Sequence, residues 1–193
     1  MEAARSTATA VAGSVPVTRY VARERVGCQG NDACERIAVK DDRIRVLFVC
    51  HGNICRSAMA QCVMQHEVGK RGLADRFTID SAATTNEEIG MPLYPPAREK
   101  LKAEGVPVVP HRARRIQAGE QAGWDYIVCM DEENMRHLRR ILGPENMGRV
   151  RKLLSYVGET RDVADPWYTG DFDATYDDVV RGCDALLEEI GLR

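Results

Sequence analysis

A single three-layer α/β domain, a central parallel sheet of about four strands with helices on both faces, is the fold that this 193-residue sequence predicts. Two observations lead there. Continuous apolar runs, as expected of strands covered on both sides, recur along the chain. Amphipathic stretches of helical period alternate with them, and alternation of this kind implies parallel pairing through crossover helices.

The elements follow in order. Residues 44–50 (IRVLFVC) form an unbroken apolar run that reads as the first strand. The stretch 58–68 (AMAQCVMQHEV) places Ala60, Val63, Met64 and Val68 on one helical face. Residues 77–83 (FTIDSAA) are the second strand candidate. A helix over 94–105 (YPPAREKLKAEG) has prolines at its start and Gly105 at its end. The third buried strand is 124–130 (WDYIVCM), after which Asp131 caps a helix that aligns Met135, Leu138 and Leu142. Residues 150–157 (VRKLLSYV) predict a short further strand. Tyr176, Val179, Val180, Cys183, Leu186, Leu187 and Ile190 trace the stripe of a last helix. In such sheets ligands bind beyond the carboxyl ends of the strands, and Cys50 stands at the end of the first.

The segment 1–43 reads differently. It is rich in Ala, Ser, Thr and Val without a helical stripe, and predicts a disordered extension ahead of a domain spanning 44–193. A targeting peptide is the weaker reading, since the chain up to Cys28 carries only four arginines against two acids. The net charge of −2 points to neither nucleic acid nor membrane as the main partner. No window is long and apolar enough to span a bilayer. Seven cysteines are an odd number, and several lie in apolar runs, which predicts free thiols and a reducing, cytoplasmic setting. Cys28 and Cys34 receive no role. Neither the cysteines nor the four histidines show metal-ligand spacing, so no metal is expected.

The loop 50–57 (CHGNICRS) bridges strand to helix, and a zinc site, a disulfide, a redox pair and a phosphate cradle are all conceivable uses of it. Gly52 and Asn53 tolerate left-handed backbone, so the loop can turn successive N–H groups inward as an anion nest ahead of a helix N-terminus. Arg56 can close such a nest with a planar fork matched to phosphate oxygens. A thiol at the floor of that cradle, Cys50, is favoured as the thiolate and becomes a nucleophile toward bound phosphorus. A nucleotide-binding loop of the G-x4-G-K-[ST] kind is absent. Expulsion of an alkoxide or phenolate needs a general acid. Residues 164–173 (ADPWYTGDFD) offer Asp165, kept out of helical conformation by Pro166, with Trp167 and Tyr168 able to wall a cleft for a phenyl ring.

The pairing of VLFVCHGNICRS (46–57) with DPWYTGDF (165–172) resembles the low-molecular-weight protein tyrosine phosphatase family. The resemblance runs from about Arg45 into the last helix, through DSAAT (80–84), EIG (88–90) and YIVCMDEEN (126–134). It implies a phosphatase loop after the first strand, no cofactor, and hydrolysis of phosphotyrosine and small aryl phosphates through a cysteinyl-phosphate. By resemblance Cys50 is the nucleophile, Arg56 the phosphate clamp aided by the amides of His51, Gly52, Asn53, Ile54, Cys55 and Arg56, and Asp165 the acid and later the base. Asn53, Ser57, Ser81 and His111 match the supporting hydrogen-bond network. Cys55 matches a second loop cysteine that captures oxidised Cys50 as a reversible disulfide.

Two departures bear on substrate choice. Glu87 stands where many relatives carry an aromatic at the cleft mouth, which points away from acidic phosphopeptides. Ala58 replaces a proline after the loop serine, at a position where proline is optional. Relatives acting on phosphoarginine carry Thr where this loop has Ile54, so phosphotyrosine is favoured and phosphoarginine is an alternative. An arsenate reductase of the same fold is the other; it needs relay cysteines, and none lies between Cys62 and Cys129. A non-catalytic phosphotyrosine-binding module would be expected to lack Cys50, Arg56 or Asp165. The implied partners are phosphotyrosine proteins and a tyrosine kinase.

Overall fold

The structure, a computed structural model, describes residues 42–192. The expected extension up to residue 41, with Cys28 and Cys34, lies outside the described residues.

Four parallel strands form one sheet in the order β2-β1-β3-β4. They are β1 (Ile44–Cys50), β2 (Phe77–Ala83), β3 (Tyr126–Cys129) and β4 (Val150–Lys152). The helices are α1 (Arg56–Lys70), α2 (Pro95–Ala103), α3 (Glu132–Leu142), the single turn α4 (Pro166–Thr169) and α5 (Phe172–Glu189). Alternation along β1 sorts its side chains between two cores. Val46 and Phe48 join the core built with α1, α2 and α5, while Leu47 and Val49 face Leu138 and Leu142 of α3. That makes the three layers. The chain leaves β1 toward β2 on one side and later returns to β3 on the other. The carboxyl end of β1, where Cys50 pairs with Ala83, is therefore the topological switch point of the sheet.

Two expectations change. The strand expected over 150–157 stops at Lys152, and residues 153–157 turn into 3-10 helix. The reason is packing: Leu153 and Leu154 are both buried in the α1/α2/α5 core, which consecutive residues of one strand, facing opposite ways, would not reach together. The segment after Asp165 is a helical turn rather than an open loop, with Asp165 as its N-cap.

Helix α5 lies very close to that 3-10 turn at Gly182, where an added Cβ would come 2.4 Å from Cγ of the fully buried Leu153. Alanine gains about 1 kcal/mol of helix propensity there and meets an overpacking cost of about 1–3 kcal/mol. Gly182→Ala is expected to lower the urea midpoint by the difference. An unchanged or higher midpoint would show that Leu153 can move aside.

Candidate active site

The loop after β1 is organised by one residue. Asn53 is the single non-glycine residue with positive φ (61°) among the described residues, and it is fully buried. Its backbone N–H donates to Cys50 Sγ at 3.3 Å. Its Oδ1 accepts the backbone N–H of Arg114 at 3.1 Å, which settles the amide orientation, since only the oxygen can accept. Its Nδ2 is then left to donate to Ser57 Oγ at 2.9 Å and Ser81 Oγ at 2.8 Å. Ser81 passes its own proton to Gln61 Oε1 at 2.6 Å. Ser57 Oγ already accepts from Asn53, so its proton is free to point at Cys50 Sγ, 3.0 Å away. The Asn53 N–H donates to the sulfur, and the Ser57 hydroxyl joins it as a second donor when the sulfur is ionised, the state in which such bonds are strongest.

His111 braces the same residue from outside. Its Nε2 lies 2.6 Å from the Asn53 carbonyl oxygen, so this nitrogen donates. Burial holds the imidazole below its ordinary pKa, against the pull of that hydrogen bond, which fixes a neutral ring protonated on Nε2. Gly52 has an ordinary negative φ; what it supplies is room, because a Cβ there would sit 3.1 Å from Glu88 Cγ.

Arg56, the first residue of α1, is almost wholly buried and its guanidinium spans two carboxylates. Nη1 bonds Asp131 Oδ2 at 2.5 Å, and Nη2 bonds Asp165 Oδ2. Burial opposes its charge, but Cys50, Asp165 and Asp131 together raise its pKa, so it stays a cation. Its Nε is buried without a hydrogen-bond partner. Asp165 uses its other oxygen to cap Trp167 N at 3.1 Å. The neighbouring thiol of Cys55 is pushed up to about 12, first by burial and then by Cys50 and Asp165.

A cavity of about 120 Å³ opens over this floor, lined by residues 50–56 and walled by Glu87, Glu88, Asp165, Trp167 and Tyr168. Trp167 is held by Tyr94, with ring centroids 5.2 Å apart, and Tyr168 is 83% exposed at the mouth. On the opposite rim His51 Nε2 meets Glu87 Oε2 at 3.0 Å.

The structure therefore gathers into one place Cys50, the loop through Ser57, Ser81, His111, Glu87, Asp165, Trp167 and Tyr168. Three contributors were not foreseen. Asp131 reads from sequence as a helix cap, and its Oδ1 does cap Asn134 N at 2.6 Å, while Oδ2 takes Arg56. Its place directly past the end of β3 was the available signal. Gln61 lies one helical turn beyond Ser57 on α1, so periodicity could have found it. Glu88 gave no signal beyond its neighbour Glu87.

Comparisons with known proteins agree with this geometry. The model of the family described as low molecular weight phosphotyrosine protein phosphatase matches residues 45–192. The low molecular weight protein-tyrosine-phosphatase YfkJ of Bacillus subtilis is 38% identical over 149 residues, covering 76% of this chain and 96% of that protein. The human low molecular weight phosphotyrosine protein phosphatase is also 38% identical over 149 residues, covering 75% and 94%. The crystal structure of YfkJ superposes with a TM-score of 0.75 over 77% of this chain and 95% of that one. A matched family model over most of the chain, together with relatives of this identity and coverage, shows that the chain belongs to the low molecular weight phosphotyrosine protein phosphatase family.

Proposed function

We propose that Cys50, Arg56 and Asp165 carry phosphotyrosine hydrolysis in a domain formed by residues 44–193. The observation that supports this most directly is the convergence on one sulfur of the Asn53 amide and the Ser57 hydroxyl, in a cavity that also holds a buried guanidinium and a carboxyl. In the first step the Cys50 sulfur attacks phosphorus, the S–P bond forms, and the P–O bond to tyrosine breaks as Asp165 gives the departing oxygen its proton. In the second step the Asp165 carboxylate takes a proton from water, whose oxygen attacks phosphorus and expels Cys50, freeing inorganic phosphate. Arg56 and the amides of the loop stabilise the charge on the equatorial oxygens in both steps. The buried Nε of Arg56 is a donor that a phosphate oxygen would satisfy.

The substrates are phosphoproteins, which a tyrosine kinase supplies. No helix among the described residues is long and apolar enough to cross a membrane; free cysteines at 50, 55, 62, 129 and 183 support a reducing, cytoplasmic setting. Trp167 and Tyr168 wall the cleft for the phenyl ring, and Ile54 favours phosphotyrosine over phosphoarginine. Glu87 and Glu88 give the rim negative charge and disfavour acidic flanking residues.

A peptide panel on the wild type and Cys50→Ser tests the nucleophile and the rim together. The wild type is expected to cleave phosphotyrosine far faster than phosphoarginine, and basic-flanked peptides about two- to fivefold faster than acidic-flanked ones at low salt. Cys50→Ser should bind phosphate and turn over nothing; retained turnover would remove Cys50 from the role. For Asp165→Asn, kcat/KM on phenyl phosphate should fall about 10²-fold or more, against little change on 2,4-dinitrophenyl phosphate, whose leaving group needs no proton. Equal losses on both would argue against the acid.

Cys55 is proposed as the redox partner. Peroxide oxidises Cys50 to the sulfenic acid with release of hydroxide, and Cys55 then displaces the sulfenic oxygen as water to form a disulfide. Loss of the Cys50 charge removes one cause of the raised Cys55 pKa, which eases that attack. Mass spectrometry after mild peroxide should find the Cys50–Cys55 bond, with activity restored by thiol. Equal recovery in Cys55→Ser would refute the protective role.

A further inference from the structure

Asp165 sits at the end of a seven-residue connection, 159–165, that carries no strand and no helix of its own. What holds it is a run of side-chain clamps. Lys152 Nζ bonds the Thr160 carbonyl at 2.6 Å and Asp162 Oδ1 at 2.8 Å. The N–H of Val163 donates to Met130 O at 2.9 Å, past the end of β3. Two further clamps come from α5. The fully buried Thr175 directs its hydroxyl at the carbonyls of Ala164, 3.2 Å, and Asp171, 3.1 Å. Asp178, whose side chain is 8% exposed, takes Arg161 in a two-pronged fork, Nη1 to Oδ2 at 2.6 Å and Nη2 to Oδ1 at 2.5 Å. Arg161 Nε continues to Glu159 Oε2 at 2.7 Å, and Arg181 bonds both Glu159 and Asp178. A fork between planar groups fixes orientation as well as distance, and a nearly buried carboxylate is costly unless it is paired in this way.

We propose that Asp178, acting through Arg161, is a positioning residue for Asp165. The fork ties the connection to α5, and α5 packs on α1, the helix that starts at Arg56. One helix thereby references the acid and the phosphate clamp to each other. Misplacing a reacting group by about 1 Å can cost on the order of 100-fold in rate, so this reference matters although Asp178 does not line the cavity. The inference rests on the reading of Asp165 as the general acid.

The test compares kcat/KM on phenyl phosphate, whose leaving oxygen needs the proton, with that on 2,4-dinitrophenyl phosphate, whose leaving oxygen does not. Asp178→Asn keeps the volume and loses the charge. Arg161→Gln, at a half-exposed side chain, breaks the fork from the other end without opening the core. Each variant is expected to lose about tenfold on phenyl phosphate and less than about twofold on the dinitrophenyl ester. A purely structural clamp would lower both substrates alike or only the melting temperature, and that result overturns the proposal, as does full activity on both. Asp165→Asn is run alongside. If it shows the leaving-group split and the two variants do not, the positioning role alone fails; if it shows no split, the acid assignment fails and takes the positioning role with it.

Discussion

Everything at the site depends on Asn53 being held in left-handed backbone. A non-glycine residue pays about 1–2 kcal/mol for that conformation, asparagine least of the larger residues. The return is three hydrogen bonds at the buried side-chain amide, two donated and one accepted, one donated by the backbone N–H to Cys50, and one from His111 to the carbonyl, each contributing about 1 kcal/mol net. Because the amide donates to Ser57 and Ser81 and accepts from Arg114, every proton downstream has a single direction, ending at Cys50 and at Gln61. The register of β1 against β2 is part of the same device. Phe48 pairs with Ser81 and Cys50 with Ala83; slipping by one residue would turn Ser81 to the other face and leave Nδ2 of Asn53 with a buried donor unmatched.

The second constraint is electrostatic. Arg56 is a buried cation held between Asp131 and Asp165, and a buried ion pair is favourable only while its partners remain. Asp131 is anchored by its own capping bond past the end of β3, so that arm of the clamp is rigid. Asp165 belongs to a short connection and a single helical turn. Its carboxylate is anchored in the same way, one oxygen capping Trp167 N and the other taking Nη2 of Arg56. One guanidinium thus ties the end of β3 to the turn that follows the 159–165 connection, through one carboxylate from each.

Much of this was legible in the sequence, and the reasons differ by element. The strand 44–50 comes through intact because an apolar run flanked by loop residues leaves no competing period, and 77–83 pairs with it residue for residue. The strand over 150–157 is shorter than its sequence predicts, because an apolar run does not say whether consecutive leucines face one core or two. Cys50, Asn53, Arg56 and Ser57 lie within one short stretch and announce themselves together. Asp165 needed the chemistry as well as the pattern, since only the demand for a proton donor singles out one aspartate among many. Ser81 and His111 came from resemblance; nothing local marks a histidine that donates to a carbonyl 58 residues away. Asp131 was hidden by a sufficient explanation, its cap, that left its second oxygen unaccounted for. Asp178 was invisible in the same way, as an acid inside a helix whose apolar stripe explained everything else.

The cysteines show how far environment outweighs residue type. Five free cysteines are found among the described residues, all of them buried. Burial pushes the pKa of Cys55, Cys62, Cys129 and Cys183 upward, so each is kept as a thiol and behaves as a small core side chain. Cys50 differs in its partners, not in its exposure. It alone receives the Asn53 amide and the Ser57 hydroxyl, with the Arg56 charge at the same cavity floor. Cys55, in the same loop and lining the same cavity, has the burial and the nearby negative charge without those donors. Two thiols in one short loop thereby have different surroundings: hydrogen-bonding groups converge on Cys50 Sγ, while burial keeps Cys55 protonated beside it.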